Sequence, residues 1–128
     1  MSDIDALAKV AVDCGFKLHE GIGPGLLESV YEALLAESLK RRGLSVSRQV
    51  PIAIAYDGIT LNEGFRADLM IEGKLIIELK SVEHMMPVHS KQLLTYLRLA
   101  RLPIGLLMNF GAATFKEGVK RIANNHVD

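Results

Sequence analysis

Along the first stretch of the chain, apolar residues recur at Ile4, Leu7, Ala8, Ala11, Val12 and Leu18. Spacings of three and four predict a helix from Asp3 to about Glu20, with Asp3 or Ser2 placed to cap its first turn. Gly21-Ile22-Gly23-Pro24-Gly25 breaks the pattern. Proline suits the first position of a helix, so a second helix is predicted from this point to about Arg42, with Gly43 as its stop. The period then changes to two: Val50, Ile52, Ile54 and Tyr56 alternate with Pro51, Ala53 and Ala55, and Asp57-Gly58 offers a hairpin turn into Ile59-Thr60-Leu61. Pro51 has no N–H to donate to a ladder, which puts this strand on an edge.

Two more strands follow, Phe65 to Ile71 and about Leu75 to Lys80, separated by Glu72-Gly73-Lys74. Side chains alternate across a strand, so Phe65, Ala67, Leu69 and Ile71 are expected on one face and Arg66, Asp68 and Met70 on the other. The next strand repeats this, with Leu75, Ile77 and Leu79 opposed to Ile76, Glu78 and Lys80. A helix is predicted from about Val88 to Arg101 and is ended by Pro103. The run Ile104-Gly105-Leu106-Leu107-Met108-Asn109-Phe110 reads as a strand covered on both faces. Strand, helix, strand implies a right-handed parallel crossover. Beyond Gly111, Val119 and Ile122 fit a short helix or a last strand. The pattern as a whole predicts an α/β fold, a mixed β-sheet flanked by α-helices.

At 128 residues the chain has room for one core, and a single domain over residues 1–128 is expected. Its 49% hydrophobic and 23% charged residues are globular composition. Lys plus Arg, 15, equals Asp plus Glu, 15, so any basic surface for nucleic acid has to be local. The lone Cys14 excludes an internal disulfide or a thiolate cluster, and between Val12 and Phe16 it reads as a packed helix residue. Met1-Ser2-Asp3-Ile4-Asp5 is acidic where a signal peptide is basic, and no apolar run spans a bilayer, so a cytoplasmic protein without membrane contact is expected.

The hairpin turn decides whether chemistry gathers here. A two-residue loop would set Asp68 opposite Ile77; the three-residue loop Glu72-Gly73-Lys74 pairs Ile71 with Leu75 and brings Asp68 opposite Glu78. The second register is preferred because it keeps each face of one kind. Two opposed carboxylates repel unless a cation or a proton intervenes, and Lys80 on the same face offsets part of that repulsion. Taken alone, a solvated strand face with a salt bridge accounts for these residues equally well.

A further carboxylate comes from the second helix, where Leu27, Val30, Tyr31, Leu34, Leu35 and Leu39 form an apolar arc with Glu28 projecting between Leu35 and Leu39. Glu32 falls further towards the polar side and is the weaker candidate. Arg66, beside Asp68, fits either a phosphate or a salt bridge to a site carboxylate. In the crossover helix His89, Gln92 and Tyr96 share a side with Leu99 and Ala100, Gln92 and Tyr96 being one turn apart. His84 and His89 lack the partners of a zinc site and read as structural. The glycine-rich segment lacks the Gly-Lys-Ser/Thr ending of a phosphate loop and reads as a turn.

Gly25-Leu26-Leu27-Glu28-Ser29-Val30-Tyr31 spells G-x-x-E-x-x-Y, and the chain resembles the GxxExxY protein family of the PD-(D/E)XK nuclease superfamily. The likeness continues through Arg66-Ala67-Asp68, Glu78-Leu79-Lys80, Gln92-Leu93-Leu94-Thr95-Tyr96 and Gly105 to Gly111. Asp68 follows Ala67 where the superfamily's name has a proline. The resemblance implies a restriction-endonuclease-like fold and a nuclease that hydrolyses phosphodiester bonds of DNA or RNA. By it, Asp68, Glu78 and Glu28 are ligands of Mg²⁺ or Mn²⁺, Lys80 orients or activates the attacking water, and Gln92 supports the site with Tyr31, Arg66 and Tyr96 around it. Two rivals stand beside this reading. One is an inactive module of the same fold that binds nucleic acid or a protein partner, and the other is a homo-oligomer whose charged face is an interface of salt bridges. Metal titration separates the last from the others.

Overall fold

A computed structural model describes residues 3–125. Nine elements follow one another: α1 (Asp3–Ile22), α2 (Glu28–Arg41), β1 (Val46–Tyr56), β2 (Ile59–Ile71), β3 (Leu75–Lys80), α3 (Pro87–Ala100), β4 (Ile104–Asn109), α4 (Phe115–Gly118) and β5 (Val119–Ala123). They form one small domain around a five-stranded sheet of order β1-β2-β3-β4-β5. β3 and β4 run parallel, joined by α3, and every other neighbouring pair is antiparallel. Pro51 does lie on an edge strand. Asp3 is the first residue of α1, while the alternative cap Ser2 is outside the described residues.

Both sheet faces are covered. α1 and α2 pack on one, where Leu69, Ile71, Leu75, Ile77, Leu79, Leu106 and Met108 meet Tyr31, Leu35 and Leu39. Cys14 is part of that core. On the other face, α3 inserts Leu93 and Leu97 against Phe65, Ala67, Ile76 and Leu107. α3 seats closely because Gly105 has no side chain; a Cβ there would lie 3.1 Å from both Leu93 Cδ1 and Leu97 Cδ2.

The expected separation into one apolar and one charged face is therefore corrected. Phe65 and Ala67 belong to the α3 side, whereas Leu69 and Ile71, of the same parity, belong to the α1–α2 side. β1 does likewise, with Val46 on one side and Val50 on the other. The cause is local. Arg48 pairs with Leu69 and Val50 with Ala67, but the ladder skips Gln49 and Asp68 between them, and Gln49 has φ 51. A left-handed residue rotates the chain after it, so the alternation of β1 restarts inverted, and β2, paired to β1 on either side of Asp68, turns over at the same point.

Ile59 to Leu61 and Phe65 to Ile71, read as separate strands, are one. Ile52 pairs with Phe65 and Ile54 with Leu61, so Asn62-Glu63-Gly64 bulges opposite Ala53 without ending the strand.

α2 starts at Glu28, not at Pro24. The preceding segment is held as a loop by the Tyr31 hydroxyl, which donates to Gly23 O at 2.7 Å and accepts from Leu26 N–H at 3.1 Å. The Tyr31 ring is fully buried, stacked on Phe110 at 4.5 Å. Next to it, Asn109 fastens the exit of β3: its Oδ1 accepts from Val82 N–H and Gly111 N–H at 3.0 Å each, and its Nδ2 donates to Val82 O at 2.9 Å. Gly111 permits this approach, since a Cβ would fall 2.3 Å from Val82 O. Tyr31→Phe keeps the stack and loses only the hydroxyl, leaving two loop groups unpaired. It should cost about 1–2 kcal/mol in urea unfolding; an unchanged midpoint would show that the hydroxyl does not hold the loop.

Candidate active site

The loop register expected from the sequence is the one observed, with Ile71 paired to Leu75, Met70 to Ile76 and Leu69 to Ile77. There the β2–β3 ladder stops. One step on, where Asp68 and Glu78 would pair, each carboxylate instead takes a backbone N–H of the opposite strand. Asp68 N–H donates to Glu78 Oε1 at 3.1 Å, and Leu79 N–H donates to Asp68 Oδ2 at 2.8 Å. The strands part because β2 turns over at Asp68, and the side chains satisfy the amides that the ladder abandons.

Glu78 is 8% exposed on a strand whose first five residues are all buried. Burial, then the charge of Asp68, pushes its carboxyl from the ordinary 4.5 up to about 8; a hydrogen bond to the Asp68 side chain acts the same way, while the Asp68 N–H and the Lys80 ammonium oppose it. Glu78 thus carries a proton at neutral pH, which relieves the repulsion between the two carboxyls. Lys80, half-buried at the end of β3, is near enough to act on Glu78. Tyr96 reaches the same locality from α3. Its hydroxyl is raised first by burial and then by the charges of Glu78 and Asp68, and a hydrogen bond with Gln92 works against both. The Tyr96 ring stacks on Phe65 at 3.9 Å.

Asp68 opens onto a cleft of about 360 Å³ that it lines with Glu28, Ser29, Glu32, Gln49 and Leu79. A groove of about 770 Å³ between the Pro24–Leu27 loop and Ser81–Glu83 shares Glu28 and Ser29 with this cleft. Asp68, Glu78, Lys80, Tyr96 and Gln92 therefore gather at one end of the sheet, with Glu28 at the rim. Glu28 itself is exposed, as the first residue of α2. Arg66 pairs with Glu63 at 2.7 Å and with neither site carboxylate. His84 is exposed, and His89 Nδ1 accepts from Met86 N–H at 3.2 Å at the start of α3.

Glu32, the weaker sequence candidate, is 6% exposed and enclosed by Arg48 and Gln49. The arc expected on α2 includes Leu27, Val30 and Leu34, and all three are exposed; the buried arc runs through Tyr31, Glu32, Leu35, Ala36 and Leu39. Ala36 beside Glu32 was the available signal. Gln49 and Arg48 had none, because they lie in a polar stretch whose role depends on the turned-over strand.

A family model of the PD-(D/E)XK nuclease superfamily matches residues 5–122. The chain belongs to that superfamily. No match was found among curated proteins. The match covers the sheet, the three long helices and the parting point of β2 and β3, and a restriction-endonuclease-like α/β fold is what the strand order and flanking helices display. Among the described residues, no helix is long and apolar enough to cross a membrane.

The raised Glu78 carboxyl gives the metal-free protein a definite pH response. Between about 4.5 and about 8 the folded state holds a proton that the unfolded state has lost, so stability falls as pH rises through that window. In chelator, Tm should drop from about pH 5 to about pH 9, and Glu78→Gln, a neutral isostere, should flatten the profile. Parallel profiles for the two proteins would refute the assignment.

Proposed function

We propose that this chain is a metal-dependent nuclease that hydrolyses phosphodiester bonds of nucleic acid, acting through Asp68, Glu78 and Lys80. The observation that carries the reading is the mutual fixing of the two carboxylates. One oxygen of each is held by a backbone N–H of the opposite strand, and burial beside Asp68 holds the Glu78 carboxyl well above the usual carboxylate range. A buried carboxyl and a half-buried one fixed side by side in this way are suited to share a cation.

The donor set fits Mg²⁺ or Mn²⁺. Among the described residues no group of three or more His, Cys, Asp and Glu side chains is gathered closely enough to hold a metal alone. Mg²⁺ is ordinarily held by one or two carboxylates, with waters and substrate phosphates completing its shell, so two fixed hard-oxygen donors suit it. Asp68 and Glu78 would hold it, with Glu28 at the cleft rim as a further or water-bridged ligand. When bound, the ion would polarise the phosphate and lower the pKa of water. Lys80 would donate a hydrogen bond to the attacking water and orient it towards the phosphate. Tyr96 and Gln92 close the α3 side, and Arg66, released from an exposed pair with Glu63, is free to meet a phosphate. The loop anchoring by Tyr31 and the rim position of Glu28 support membership of the GxxExxY family. The equality of basic and acidic residues favours a second reading, an inactive module of the same fold that binds nucleic acid or a protein partner.

Cleavage of DNA and RNA in Mg²⁺ or Mn²⁺, with Glu78→Ala as control, tests the proposal; no metal-dependent cleavage of either would leave the binding module. Asp68→Asn should weaken Mn²⁺ binding at least about tenfold by calorimetry. Lys80→Ala should lower cleavage about a hundredfold or more with Mn²⁺ affinity changed only modestly. Near-wild-type cleavage by Lys80→Ala in saturating Mg²⁺ would show that Lys80 only neutralises its neighbours.

A further inference from the structure

Gln49 holds a backbone conformation that glutamine seldom takes. Its φ of 51 costs about 1 kcal/mol or more, and such a residue persists where its surroundings over-determine it. Its surroundings here are two carboxylates. The Gln49 Nε2 lies 2.6 Å from Glu32 Oε1 and 3.4 Å from Asp68 Oδ1. The other oxygen of Glu32 is already taken by Arg48, through Nε at 3.1 Å and Nη2 at 3.0 Å. Glu32 is therefore a fixed, buried acceptor, and it dictates which end of the Gln49 amide points inward.

Asp68 has one oxygen tied to Leu79 N–H, which fixes its distance from β3 but leaves rotation about that bond. Its second oxygen faces the Gln49 amide at 3.4 Å, and the carboxylate also shares a hydrogen bond with the Glu78 side chain. The geometry points to Gln49 as a positioning residue: Arg48, Glu32 and Gln49 form a chain from α2 through β1 that sets the plane of the Asp68 carboxylate for a divalent cation. This deepens the metal-dependent reading and rests on it. Gln49 is assigned no part in the chemistry itself. It acts through Asp68, and the reversal of both strands at this point is what aims its side chain into the cleft.

Gln49→Gly and Gln49→Asn test the inference without endangering the fold, since Gly and Asn are the residues best suited to a left-handed position. Gly removes the amide and Asn shortens its reach. Mn²⁺ titration calorimetry on both should show affinity lowered at least about tenfold, as when an outer partner of a metal ligand is lost, with the metal-free Tm within a few degrees of wild type. A tether that only joins β1 to α2 would give the reverse pattern, a lower Tm with unaltered affinity, and would overturn the inference. So would Mn²⁺ affinity within about twofold of wild type in the folded variants. If the wild type itself binds no Mn²⁺, the metal-dependent reading falls and takes this role with it; if the wild type binds and the variants match it, the role of Gln49 alone is wrong.

Discussion

The molecule turns on one exchange of hydrogen bonds, in which two carboxylates take over the backbone amides that β2 and β3 give up as they part. A continuing ladder would place Asp68 and Glu78 side by side with nothing to hold their oxygens. Parting leaves the amides of Asp68 and Leu79 unpaired inside the fold, a cost that only fixed acceptors offset. The same carboxylates that stabilise the break are thereby held rigidly, which is what the ion-binding role proposed for them would require.

The surrounding parts serve that break in different ways. α3 lies close over β4 because Gly105 is bare, and so carries Tyr96 and Gln92 to the Glu78 side. On the opposite face Tyr31 does two jobs with one side chain, its ring filling the core against Phe110 and its hydroxyl tying down the loop before α2. Asn109 holds the residues just after Lys80. Loops bordering both grooves are thus fastened from the core outward.

How much of this the sequence disclosed depended on whether the cause was local. The limits of β3, the pairing of Ile71 with Leu75 and the parallel β3–β4 crossover were legible, because strand period, loop length and handedness act over short stretches. The last turn of α3 was legible for the same reason, with Pro103 behind it. The reversal at Gln49 was not, since a left-handed glutamine leaves no mark in hydrophobic alternation and keeps Val46 and Val50 in apparent phase. Glu32 was misplaced because its burial comes from Arg48 and Gln49, residues of another element. Asp68, Glu78 and Lys80 could be read as neighbours, but that two of them would bond to backbone was knowable only once the strands were seen to separate.

The Leu79 amide carries a last consequence. Its proton is sheltered by the Asp68 side chain and not by a neighbouring strand, although it sits in the middle of the sheet. Its isotope exchange with solvent is therefore governed by the motion of one carboxylate, and anything that draws Asp68 aside would free this proton while the amides of Ile76 and Ile77 stay locked. A single backbone position thus reports, from inside the sheet, whether the carboxylate pair is at rest or engaged.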